Sequence, residues 1–300
     1  MALVALGLVG AAAAPAAALS ADVDATRAEL AVLTGRRPVS RTEAGLFYSR
    51  ALGRQMPFFV YLPPGYDLDA TARFPVLYML HGLGGSNWEW AELGLLSAAD
   101  QLIAADEIPP FLIVLPQGDQ AYWFDHADGD DYGTYVARDV VAEIDGRYRT
   151  VPERGARAVG GLSMGSVGAL QLAINYPEVF GAVGAHGLTL RDYASMAEHM
   201  GEELTPRWLG DERRYAAFDP VQLYRQRPEV ARRLAIWLDV GADDESWRPI
   251  AAEFHQQLLD DGVPHEWRVL PGDHDPGRYE RVHVREFLRF YGRALAPPRS

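Results

Sequence analysis

Five consecutive residues, Gly161-Leu162-Ser163-Met164-Gly165, constrain this chain more than any other stretch. A strand-like run, Ala156 to Gly160, leads into them, and a helix-compatible run, Val167 to Asn175, leads out. In that setting a serine between glycines predicts a nucleophile elbow, a strand-to-helix turn too tight for side chains at the flanking positions. The turn lifts the serine hydroxyl clear of the sheet edge. It also aims the N-terminus of the next helix at that hydroxyl, where N–H groups and the helix dipole meet a developing oxyanion. The pattern is loose and also arises by chance, so its weight comes from its flanks and from partners elsewhere.

A serine hydroxyl alone is a weak nucleophile near neutral pH, so the reading requires a histidine base and a carboxylate that orients it. The run Leu234 to Gly241 reads as a buried strand and ends in Ala242-Asp243-Asp244. Further on, Trp267 to Leu270 reads as the next strand and runs into Pro271-Gly272-Asp273-His274. Ser163, Asp244 and His274 then stand in the order serine, acid, histidine. The alternative for Asp243 and Asp244 is a plain turn at a strand end. His81, His126, His186 and His283 are the competing bases, and His274 leads them on chain order and position.

A third element follows the apolar strand Pro75 to Leu80, where His81-Gly82-Leu83-Gly84-Gly85 allows a backbone N–H, that of Leu83, to turn toward the serine. With the N–H of Met164 it would complete an oxyanion hole, leaving His81 a structural role. A dinucleotide loop is excluded because Asn87 stands where the third glycine belongs, and no Gly-Lys-Ser/Thr follows for a phosphate loop.

With these stretches, and with Tyr61 to Tyr66, Arg147 to Thr150, Tyr176 to Phe180 and Asp239 to Asp244, the chain resembles the "Putative esterase" family of α/β-hydrolases. That family includes esterase D (S-formylglutathione hydrolase), feruloyl esterases, enterochelin esterases and mycobacterial mycolyltransferases. The resemblance implies an α/β-hydrolase fold, a mostly parallel sheet with helices on both faces. It also implies that Ser163 is the nucleophile, Asp244 the orienting acid, His274 the base, and Leu83 and Met164 the oxyanion donors. Three departures bear on substrate preference: Ser166 in place of a glycine, His186-Gly187 in place of Ser-Gly, and Asp275-Pro276 where an aromatic residue is usual nearby.

The chain has 300 residues, 48% of them hydrophobic, and its strand and helix signals alternate from about residue 40 onward, which predicts one α/β domain over 41–300. Helices are expected from Tyr132 to Tyr148, Val167 to Tyr176, Pro249 to Asp261 and Tyr279 to Ala294. A formal charge of −13 argues against nucleic acid as a partner. The absence of cysteine excludes disulfides, a thiol nucleophile and thiolate zinc sites. No cofactor or metal is expected. The carboxylates Asp119, Asp125, Asp128, Asp130 and Asp131 around Gly129 lack the spacing of a calcium loop and read as a solvated acidic loop.

Residues 1–20 are apolar and alanine-rich, with small residues at candidate cleavage positions, and read as a secretory signal peptide that lacks a basic start; residues 21–40 form an extension. An uncleaved anchor and an inert alanine-rich tail are the alternatives. Export predicts a secreted or envelope protein with no stable membrane insertion after processing. Trp88, Trp90 and Trp123 are the candidates for an apolar pocket that favours an uncharged acyl or aryl group over a glutathione thioester, with core packing the alternative for about half of the aromatics near the catalytic edge. The expected activity is hydrolysis of a small-molecule, polysaccharide-linked or lipid-linked ester through an acyl-enzyme. Acyl transfer by the same residues, as the resemblance to mycolyltransferases suggests, and a non-catalytic envelope-binding protein are the rival readings.

Overall fold

A computed structural model describes residues 39–275 and 277–296 of the chain. The expected leader and most of the expected extension lie outside the described residues. Eight strands form one sheet: β1 (Arg41–Ser49), β2 (Arg54–Leu62), β3 (Val76–Leu80), β4 (Leu112–Pro116), β5 (Arg157–Leu162), β6 (Ala182–His186), β7 (Ala235–Gly241) and β8 (Glu266–Leu270). Their order across the sheet is β1-β2-β4-β3-β5-β6-β7-β8. The β1–β2 and β2–β4 pairs are antiparallel, and every pair from β4–β3 to β7–β8 is parallel.

The central strands β3, β4, β5 and β6 are buried at every residue, as parallel strands covered on both faces must be. Alternation along each strand then feeds two cores. Val76, Tyr78 and Leu80 enter one cluster, while Leu77 and Met79 enter the other. The first lies against the helices Met164–Asn175, Pro220–Gln226 and Arg248–Asp260, and the second against Leu95–Ala104 and Tyr279–Ala294.

Differences from the expected helices are local. The segment 132–147 is a continuous helical run, but Tyr135–Val140 within it adopts the wider π form. Val136, Val140 and Ile144 are nonetheless all buried, as their spacing requires. The helix expected from Val167 begins at Met164, directly after the serine. Every residue from Met164 to Ile174 is buried, so this helix is packed on all sides and carries no amphipathic signal that would locate its first turn.

Candidate active site

The parallel strands share one carboxyl edge, and the loops leaving β3, β5, β7 and β8 carry the residues of interest. Ser163 follows β5 with φ 51° and ψ −114°, a backbone region that L-residues rarely occupy. The close packing around it requires glycine on both sides. A Cβ at Gly161 would lie 2.3 Å from the Gly165 carbonyl oxygen, and one at Gly165 would lie 2.5 Å from that of Leu80. The Ser163 N–H donates to the His186 carbonyl at the end of β6 (3.0 Å), which anchors the strained residue to the neighbouring strand.

The loops after β7 and β8 are pressed together: Ala242 N–H donates to Leu270 O (2.7 Å) and Asp243 N–H to Gly272 O (2.8 Å). This pairing brings His274 beside Asp244. The His274 Nε2 lies 2.9 Å from Ser163 Oγ, and its Nδ1 lies 3.2 Å from Asp244 Oδ2. Asp244 is buried; its Oδ1 accepts the Trp247 N–H (2.9 Å), and its Oδ2 makes no regular hydrogen bond and faces the imidazole. Asp243, by contrast, is exposed. Burial pushes the His274 imidazolium below its ordinary range, opposed by the charges of Asp244 and Asp273, so the ring is neutral and available as a base near neutral pH.

Met164 follows the serine directly, and Leu83 follows Gly82, where a Cβ would lie 2.5 Å from the Leu162 side chain. Among the described residues no acceptor takes the Leu83 N–H, and Met164 opens its helix, where N–H groups have no partner within the helix. The loop carrying Leu83 is held from below, because Gly82 N–H donates to Glu89 Oε2 (2.7 Å) and Gly84 N–H donates to Gln120 Oε1. His81 ties the same loop to the exit of β4: its Nε2 accepts the Gly118 N–H (3.0 Å) and its Nδ1 is 2.9 Å from Gly82 O.

The other candidate bases are engaged away from the serine. His126 is buried, with its Nε2 2.8 Å from Ala121 O, and His283 Nε2 meets Pro271 O at 3.0 Å. His186 forms a second, fully buried His–Asp pair, with Nδ1 2.7 Å from Asp239 Oδ2 and Nε2 2.7 Å from the Tyr291 hydroxyl. Asp239 also accepts the Gly187 N–H, the Tyr279 hydroxyl and the Trp237 indole N–H, so the carboxylate is satisfied in place. The sequence departure at His186 is thus a structural strut whose backbone carbonyl holds Ser163. Ser166, the other nearby departure, is buried and donates its hydroxyl to Ser163 O (2.6 Å).

The tryptophan wall expected from sequence needs correction. Trp90 is buried in the core, with its indole N–H donating to Leu80 O (2.9 Å). Trp123 is also fully buried, packed beneath His81 and so close to the elbow helix that a Cβ at Gly168 would lie 2.6 Å from it. Both serve as packing under the catalytic edge, Trp90 from the buried face of the short helix Glu89–Glu92 and Trp123 from a turn at φ 64°. Trp88 alone is partly exposed, tilted against Phe59. The residue that does stand beside His274 is Trp247, with ring centroids 6.3 Å apart. Its only sequence signal is its place three residues beyond Asp244.

The acidic loop is dispersed rather than focused. Asp130 and Asp119 pair with Arg54, Asp128 with Arg207, and Asp125 receives the N–H and hydroxyl of Thr134. Among the described residues no group of three His, Asp or Glu side chains is placed to hold a metal ion.

Sheet order and site together define the α/β-hydrolase fold. The family model described as "Putative esterase" matches residues 49–282, and the chain belongs to that family. A curated relative, Esterase Rv1288 of Mycobacterium tuberculosis (strain ATCC 25618 / H37Rv), is 28% identical over 257 residues, covering 76% of this chain and 54% of the relative. The chain thus spans about half the length of the first curated relatives it matches. A solved ferulic acid esterase superposes with a TM-score of 0.73 at 26% identity, over 85% of this chain and 99% of that one. An S-formylglutathione hydrolase from Staphylococcus aureus superposes with a TM-score of 0.71 at 16% identity, over 84% and 99%, a likeness of fold.

Proposed function

We propose that this chain is a serine carboxylic-ester hydrolase that works through an acyl-enzyme, acting on short-chain or aryl esters outside the cytoplasm. One observation carries the reading: Ser163 Oγ, on a strained elbow, lies 2.9 Å from the Nε2 of a His274 whose Nδ1 faces Asp244 at 3.2 Å. In the forward step His274 Nε2 takes the hydroxyl proton as Ser163 Oγ attacks the ester carbonyl. The carbonyl oxygen gains the charge and is met by the N–H groups of Leu83 and Met164. Asp244 stabilises the imidazolium, which then gives its proton to the departing alkoxide and leaves an acyl group on Ser163. Water, deprotonated by His274, repeats the sequence, releasing the acid and restoring the serine.

Aryl specificity takes its support from the ferulic acid esterase likeness, and the extracellular setting from the apolar leader of residues 1–20. A panel of 4-nitrophenyl acetate, 4-nitrophenyl butyrate and methyl ferulate tests the activity, with Ser163→Ala as the control. Hydrolysis lost in the variant is expected; a folded enzyme inert to all three esters overturns the proposal. N-terminal sequencing of secreted protein tests the leader, with a start near Leu19 to Asp22 expected and an intact Met1 contradicting export.

A further inference from the structure

We infer that Arg191 reads a negative charge on the substrate, so that the preferred ester carries a carboxylate or similar anionic group within reach of the scissile carbonyl. The inference rests on the ester-hydrolase reading and adds the substrate's chemical class.

The chain delivers Arg191 to the site by a short rigid path. His186 O holds the Ser163 N–H, and Gly187, Leu188, Thr189 and Leu190 after it are all buried, so Arg191 is the first residue of this segment to reach solvent. Its guanidinium carbon lies 4.4 Å above the ring of Trp247. Trp247 in turn stands beside His274 and donates its N–H to Asp244. Arg191 is therefore one aromatic ring away from the base.

A guanidinium held over an aromatic face by cation–π attraction keeps N–H donors available for an anion. Among the described residues no carboxylate oxygen lies within 4.0 Å of the Arg191 guanidinium, and the Tyr122 hydroxyl is its one side-chain hydrogen-bond partner, which leaves most of its N–H donors free. Two of its polar neighbours are uncharged. Burial raises the Tyr122 pKa, opposed by the charge and hydrogen bond of Arg191, and keeps its hydroxyl protonated 2.7 Å from His199 Nε2, while burial together with Arg191 lowers the His199 pKa and keeps that ring neutral. Asp192, Asp219 and Glu253 line the adjoining groove, and none of them pairs with Arg191 within 4.0 Å. Asp192 accepts the Ser195 N–H (2.8 Å) and Asp219 the Val221 N–H (2.8 Å), each capping a helix. In a chain with 41 acidic and 28 basic side chains, a stacked arginine without an acid partner at the catalytic rim leaves its charge to be met by a ligand. The acidic groove beyond it limits the anion to a short reach from the reacting carbon.

Two matched ester pairs test this. On the acyl side, mono-4-nitrophenyl glutarate is compared with 4-nitrophenyl butyrate; on the alcohol side, 4-acetoxybenzoate is compared with 4-acetoxybenzamide. The readout is the ratio of kcat/KM for the charged ester over its neutral partner. In one arm the ratio should exceed unity, fall about 10- to 100-fold in Arg191→Gln, and fall less in Arg191→Lys, which keeps charge but loses the planar fork. Raising ionic strength from 0.05 to 0.5 M should also lower it in the unmodified enzyme, a measurement that needs no variant. A ratio insensitive to both salt and substitution in both arms overturns the inference. Turnover of the neutral esters separates the two claims: its presence without anion preference removes only the role of Arg191, and its absence from a folded enzyme removes the hydrolase reading itself.

Discussion

The Ser163 hydroxyl and the His274 Nε2 stand 2.9 Å apart although 111 residues separate them in the chain. Such a pair acts as a unit. Ser163→Ala should lower ester kcat/KM by roughly 10,000-fold or more with the fold intact, and His274→Ala nearly as far. The double variant should be little worse than either single one. Additive losses in this cycle, measured on folded proteins, would mean that His274 does not serve Ser163.

Asp244 and Asp243 are adjacent in sequence and opposite in environment. Asp244 is buried against the imidazole at 3.2 Å, whereas Asp243 is exposed. Asp244→Asn should reduce kcat by roughly 1,000- to 10,000-fold through loss of imidazolium stabilisation and the wrong tautomer. Asp243→Asn should change it by no more than about three-fold, as surface changes away from partners usually do. The reverse ranking in steady-state kinetics would move the acid to Asp243.

Burial lowers the His274 pKa while Asp244 and Asp273 raise it. The active form is the neutral ring, so kcat/KM should rise with pH as that ring loses its proton, with a midpoint below the ordinary histidine value of about 6.5. Asp244→Asn removes one of the raising charges, so its residual activity should show the acid limb at still lower pH. A limb that moves upward in the variant would contradict the assigned pairing.

Glu280 is buried at the start of the last helix, beside Gly187, with its Oε2 unpartnered and its carboxyl pushed up to about 8 by burial. Its folded pKa exceeds the unfolded value of 4.5, so the folded state holds the proton longer. Its effect on stability is therefore fully favourable below about pH 4.5 and is lost as pH rises toward 8, with a slope of up to about 1.4 kcal/mol per pH unit. Glu280→Gln, which mimics the neutral acid, should raise Tm at pH 8 and flatten the decline between pH 5 and 8. Equal pH dependence of the two melting curves would show that Glu280 is ionised in the fold.

Much of the site was legible because its constraints are local. The glycines around Ser163 and the strand ends before Asp244 and His274 are short-range signals, and the sheet loops simply carry them to one edge. Trp90 and Trp123 fall to the core, the alternative that the sequence left open, because an aromatic residue near a catalytic loop looks the same in sequence whether its ring turns in or out. Arg191 and Trp247 were missed for the complementary reason. Their pairing joins the loops after β6 and β7, and nothing in either segment alone announces the stack. With two of the three tryptophans in the core, the case for excluding charged substrates loses its physical basis.

The most direct test of the central claim is the site of covalent reaction with a fluorophosphonate, read by intact mass and peptide mapping. A single adduct on Ser163, absent from Ser163→Ala and formed far more slowly in His274→Ala, is expected. A folded protein that takes no label, or one labelled at another residue, would contradict the account.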